Sequence, residues 1–139
     1  MPAPHAWEAA TDEERANGDL GTDQCVITLA GCTHYFIRGH IELPIRGSDD
    51  VFVWSVWCSL SQDSMKATVD QWDDPGRDRL PPMFGWLNSW LPYDESTLNI
   101  ATNVHTQPPG VVPLIELNPH VNHELVREQV EGITWHRVA

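Results

Sequence analysis

The chain has 139 residues, 41% hydrophobic and 20% charged. That fits one globular core and argues against wholesale disorder. A net charge of −12, with only eight Lys and Arg in total, disfavours binding to a nucleic-acid phosphate backbone or an anionic lipid surface, and no apolar run approaches the ~20 residues of a membrane span.

Residues 1–22 form a polar N-terminal segment rich in Ala, Glu and Asp, within which Glu8 to Ala16 predicts a short helix. Chain ends of this composition are commonly mobile. Met1 to Glu8 holds no basic stretch followed by an apolar one, so no signal peptide is expected. Three cysteines without a C-x-x-C pair point to a reduced, cytoplasmic protein.

Residues 23–139 read as a single α+β domain. Cys25 to Leu29, His34 to Ile45 and Val51 to Ser59 carry the β-branched and aromatic content of strands. Short polar turns join them, which predicts an antiparallel meander. Ser61 opens a helix over about 61–73: its hydroxyl can cap, Asp63 suits the positive end, and Leu60 and Met65 are placed for a hydrophobic staple. Met65, Val69 and Trp72 fall on one helical stripe. Asp73-Asp74-Pro75-Gly76 stops it. Residues 76–96 follow as a long aromatic loop with Phe84, Trp86, Leu87, Trp90, Leu91 and Tyr93. Loops of this length in compact domains are often functional, and this one predicts a lid folded over one sheet face. Thr97 to Thr106 and Val111 to Leu117 predict two further strands. A second short helix is expected over 119–130 with Gly132 at its end, then a last strand from Ile133 to Val138. The expected architecture is a five- or six-stranded, mainly antiparallel sheet with the 61–73 helix packed on one face. An open sheet of this kind leaves unpaired edges and allows a homodimer.

Six short motifs then come in order: F-I-R-G from Phe36, E-L-P-I from Glu42, V-W-x-S-L-S from Val56, F-G-W-L from Phe84, P-L-I-E-L from Pro113 and H-x-L-x-x-E-Q-x-x-G-I from His123. Together they resemble the bacterial family catalogued as domain of unknown function 2199. The resemblance covers about Asp23 to Val138 and implies a small soluble bacterial protein. It brings no catalytic residues to carry over. Many members of that family begin with a C-x-x-C-G segment resembling a metal knuckle, whereas this chain has no cysteine before Cys25.

Alternation along the second strand puts Tyr35, Ile37, Gly39, Ile41 and Leu43 on one face and Phe36, Arg38, His40 and Glu42 on the other. Arg38 could clamp a carboxylate or phosphate, His40 could move a proton near neutral pH, and Glu42 could orient it. The plain alternative is a solvated salt-bridge network. With Phe36 on the same face, and Trp54, Trp86 and Trp90 available to cover it, the leading expectation is a small anionic molecule bound or processed there. That expectation requires a concave pocket in which Arg38 has no protein carboxylate as partner. His120 and His123, three apart, with His105 as a third ligand, make a weaker case for a divalent metal, against surface or capping histidines. No other cofactor is expected: there is no glycine-rich phosphate loop, no dinucleotide fingerprint and no Ser-His-Asp signature. Cys58 reads as a buried inert thiol or, before a helix N-terminus, as a reactive one. A second class of function is an acidic module that docks a basic protein through Asp49, Asp50, Asp73, Asp74, Asp94 and Glu95.

Overall fold

The computed structural model describes residues 2–138. Two short helices, α1 (His5–Glu8) and α2 (Asp12–Ala16), stand where the sequence predicts one. Thr11 separates them with a reciprocal cap: the Glu14 N–H donates to Thr11 Oγ1, and the Thr11 N–H donates to the Glu14 carboxylate. The chain then pairs β1 (Asp19–Leu20) with β2 (Gln24–Leu29) and turns into β3 (Cys32–Pro44). The turn is Ala30-Gly31, both with positive φ, the conformation that matches the twist of a two-residue hairpin.

β3 is the spine of the sheet. β2 pairs with its first half, β4 (Val51–Leu60) pairs with it from Tyr35 to Pro44, and β7 (Leu114–Leu117), still to come in the chain, joins its second half in parallel at His40. Ser61 caps the next helix, α3 (Gln62–Asp70), by accepting from the Ser64 N–H at 3.1 Å. Met65 and Thr68 are its buried residues, and Val69 faces solvent. Thr68 tolerates burial because its hydroxyl donates to the Ser64 carbonyl at 2.9 Å and lies 3.5 Å from Met83 Sδ.

The 76–96 segment is more ordered than a lid. It holds a 3-10 turn (Arg77–Arg79) and a strand, β5 (Met83–Trp86), which with β6 (Ala101–His105) and β7 makes an antiparallel run. The sheet curls until β5 reaches β4: Cys58 bridges to Leu87, the Asn88 N–H donates to Trp57 O at 2.8 Å, and the Trp86 N–H donates to Ser59 Oγ at 3.1 Å. Gly85 permits this closure, since a Cβ at that position would stand 2.1 Å from Ser59 O. Among the described residues seven strands thus replace the expected five or six, in the expected α+β, mainly antiparallel architecture. The added strands are β1 and β5.

The inner face holds Ile37, Ile41, Leu43, Val56, Cys58, Leu60, Val104, Ile115 and Leu117, all buried, with Leu87 and Leu91 of the aromatic loop among them. A second cluster covers the outer face: Cys25, Ile27, Phe36 and Trp57 lie under Ala6, Trp7, Ala10 and Leu20. The N-terminal residues are therefore packed, and the Asn88 carbonyl and side chain accept from the His5 and Ala6 N–H groups.

The expected 119–130 helix begins later, as α4 (Glu124–Glu131). Asn118 accepts from the His120 N–H with its side chain and from the Val121 N–H with its carbonyl, so residues 118–121 form a turn instead. The last predicted strand is also corrected. Ile133 makes one bridge, to Ile45, and Thr134 then captures the Arg137 N–H and starts a final helical turn, α5 (Trp135–Val138). Among the described residues no helix is long and apolar enough to cross a membrane.

Candidate functional site

Phe36, Arg38, His40 and Glu42 share the outer face of β3, but the structure does not gather them into one site. Phe36 is buried under the N-terminal segment. Arg38 is held by three partners: Nε donates to Thr22 O at 2.9 Å, Nη1 to Ser55 Oγ at 3.2 Å and Nη2 to Asp23 Oδ1 at 3.1 Å. The expectation of an Arg38 without a carboxylate partner is corrected here. The Arg38 N–H donates to Asp23 O, and that backbone bond brings the Asp23 carboxylate to the guanidinium. His40 and Glu42 border a different depression with His105 and Glu116. Burial, and then the Arg38 charge, lower the pKa of His40 against an opposing pull from Glu42. His105 Nε2 sits 3.1 Å from Glu116 Oε1.

The expected lid lies elsewhere. Trp86 meets Phe84 edge-on at 4.9 Å and borders a concavity with Thr33, Tyr35 and Ser59, while Trp90 meets the His5 ring at 5.6 Å. The histidines do not form a metal site either. His123 caps α4 by accepting the Leu125 N–H on Nδ1 at 3.0 Å, so its Nε2 carries the proton and donates to Glu95 O at 3.1 Å. Both ring nitrogens are in use. His120 is exposed on the preceding turn. Among the described residues no group of three or more His, Cys, Asp or Glu side chains is arranged to hold a metal ion. Cys58 is buried: burial pushes its thiol up to about 12, and Sγ lies 2.8 Å from Thr102 Oγ1.

The side chains that do converge are Phe52 and Trp54 of β4, Tyr93 of the aromatic loop, Glu128 of α4 and Arg137 of α5. Phe52 and Trp54 face inward, alternating with exposed Val51 and Val53. Their rings meet edge-on at 5.0 Å, and Trp54 meets Tyr93 at 6.3 Å. Tyr93 is placed by its N–H bond to Leu91 O, and Leu91 is anchored in the core. The Tyr93 hydroxyl donates to Glu128 Oε1 and accepts from Trp54 Nε1 at 3.2 Å. Burial and the Glu128 carboxylate hold the phenol well above its ordinary pKa. The Glu128 side chain is only 11% exposed, and its second oxygen accepts from Arg137 Nε at 3.2 Å. The Arg137 guanidinium lies 5.6 Å from the centre of the Tyr93 ring. Leu43, Ile133 and Val138 complete a hollow of about 190 Å³.

Local folding aims these groups. Gly132 ends α4 at φ +83°, and a Cβ there would stand 2.8 Å from Pro44 O. The Ile133 N–H then donates to Pro44 O at 2.7 Å and the Arg46 N–H to Ile133 O at 2.8 Å, pinning the C-terminal segment to the end of β3. The sequence points to Trp54 and Tyr93 but not to Phe52, Glu128 or Arg137. One signal was available: Glu128 is the E of H-x-L-x-x-E-Q-x-x-G-I, whose every named residue has work in the fold. His123 caps, Leu125 and Ile133 are buried, Gln129 bonds the Leu117 N–H and Ile115 carbonyl, and Gly132 turns.

A model of a protein family described as an uncharacterized protein conserved in bacteria, DUF2199, matches residues 1–133. The match includes the N-terminal segment, which packs on the outer face of the sheet. Neither a curated protein nor a solved structure matches the chain.

Proposed function

We propose that this chain, which belongs to the DUF2199 family of bacterial proteins, binds a small organic cation in the hollow between Phe52, Trp54, Tyr93 and Glu128. The observation that carries the reading is the convergence of three aromatic rings and one poorly exposed carboxylate on a single small concavity. Aromatic-lined hollows with a few converging polar groups are the usual form of a ligand site, and ring faces attract cations. Glu128 supplies the counter-charge, and a net charge of −12 draws cations toward the surface. The anion expected at Arg38 loses its support because Asp23 already occupies that guanidinium. Binding is favoured over turnover: burial keeps the Tyr93 phenol and the Cys58 thiol protonated, which removes both as ready nucleophiles.

Calorimetric titration with ethylguanidinium, tetramethylammonium and acetate tests the reading. At least one of the two cations is expected to bind the wild type, acetate is not, and Glu128→Gln is expected to abolish the cation signal. Binding of acetate but of no cation would overturn it.

A second reading, docking of a basic protein, draws on Asp49, Asp50, Asp73, Asp74, Asp94 and Glu95, exposed on three separate loops. It predicts association with a basic partner that weakens steeply with salt and that survives Trp54→Phe.

A further inference from the structure

The cation reading leaves the chemical class of the ligand open, and the hollow itself narrows it. We infer that its ligand carries a guanidinium group and that Arg137 is an internal stand-in for it. The inference rests on the proposed cation site and adds the class of cation and its competitor.

Arg137 already makes the contacts such a ligand would make. Its Nε donates to Glu128 Oε2 at 3.2 Å, and its guanidinium carbon lies 5.6 Å from the Tyr93 ring centre. A planar, delocalised cation can stack on a ring and fork onto a carboxylate at once, which a compact ammonium cannot do. The occupant is held by little else. Arg137 sits on the four-residue α5, none of whose residues is buried, and its side chain is 47% exposed. The Arg137 side chain can swing away while Val138 of the same turn keeps its partly buried packing against the core.

Glu128 sets the direction of exchange. Its side chain is 11% exposed, so losing Arg137 without replacement would leave a carboxylate poorly solvated, with Tyr93 as its remaining partner. Replacing one guanidinium by another avoids that state. Arg137 therefore acts as a plug that an external guanidinium must displace, and its removal empties the site for one.

Chemical rescue in the full-length chain tests this. Wild type, Arg137→Ala and Arg137→Lys are melted in ethylguanidinium chloride and in tetramethylammonium chloride at equal millimolar concentration, and ethylguanidinium affinities are measured by titration. Arg137→Ala is expected to melt below wild type and to recover in ethylguanidinium but not in tetramethylammonium, binding ethylguanidinium at least about tenfold more tightly than wild type does. Arg137→Lys, which keeps a charge over the ring, is expected to fall between them; it also supplies the comparison with wild type should Arg137→Ala fail to fold. Equal ethylguanidinium affinity across the folded variants would overturn the plug while leaving the cation site standing. Equal response to the two cations would overturn the guanidinium class. Absence of any cation effect in all folded variants would overturn the proposed function together with this inference.

Discussion

The Tyr93 hydroxyl donates to the Glu128 carboxylate across 35 residues of chain and at the same time accepts from Trp54 Nε1. One phenol thus ties the aromatic loop to β4 and to α4, and it lines the hollow in which three aromatic rings and the Glu128 carboxylate converge. Removing that hydroxyl in Tyr93→Phe leaves an indole N–H and a poorly exposed carboxylate oxygen without their partner. Urea unfolding is expected to show a loss of about 1–3 kcal/mol. A change within error would mean that water replaces the hydroxyl.

The same phenol gives a pH signature. Its folded pKa lies above the ordinary value of 10, chiefly because of burial and then the Glu128 bond. A raised folded pKa means that the native state holds the proton more tightly than the unfolded chain. The stabilisation is complete below pH 10 and is lost as pH climbs from there toward the folded pKa. Wild type is therefore expected to lose stability above pH 10 more steeply than Tyr93→Phe, measured by urea midpoints across the alkaline range. Parallel curves for the two proteins would contradict this.

Gly85 is where the curled sheet closes. Because a Cβ would meet Ser59 O at 2.1 Å, Gly85→Ala must push β5 away from β4. A cost of about 3 kcal/mol or more is expected, with faster amide exchange at Asn88, whose N–H donates to Trp57 O.

Arg77 is buried and donates to four backbone carbonyls, those of Trp72, Gln107, Pro108 and Val111, with its guanidinium 4.6 Å from the Trp72 ring centre. It fastens the 107–111 turn to the end of α3. Arg77→Met keeps the bulk and removes every donor, leaving those carbonyls to find water. A loss of about 3 kcal/mol or more is expected, with increased amide exchange across residues 107–111.

Ala30 carries a Cβ in the left-handed region at φ 50°. Ala30→Gly relieves that conformation and is expected to stabilise the protein by about 1 kcal/mol, read as a higher urea midpoint with an unchanged slope.

How much of this was legible in the sequence follows from what each signal encodes. The alternation from Tyr35 to Leu43 was legible because the pleat sets it within one strand. Trp54 was not placed correctly by the same logic, because its face depends on the register between two strands. Pairing Ile41 with Trp54 and His40 with Ser55 sends Trp54 inward, away from Arg38. A one-residue slip would have sent it outward, and the polar residues of the 45–50 turn leave that register unspecified. Ser61 was legible as a cap because the bond is local. Asp23 against Arg38, and Glu128 with Arg137 against Tyr93, were not, because each partner arrives from another part of the chain through backbone pairing that no local pattern records. Ile133 to Val138 reads as a strand by composition, yet after one bridge Thr134 offers a nearer partner to the Arg137 N–H and the helical turn wins.

The most direct test follows the indole N–H of Trp54 by two-dimensional nuclear magnetic resonance, assigned by its loss in Trp54→Phe, during titration with ethylguanidinium chloride and, separately, sodium acetate. A saturable shift of that resonance is expected with the guanidinium salt, larger than at the exposed indoles of Trp86 and Trp90, and none with acetate. An unmoved Trp54 signal, or an equal response to both salts, would contradict the claim that this hollow is a cation site.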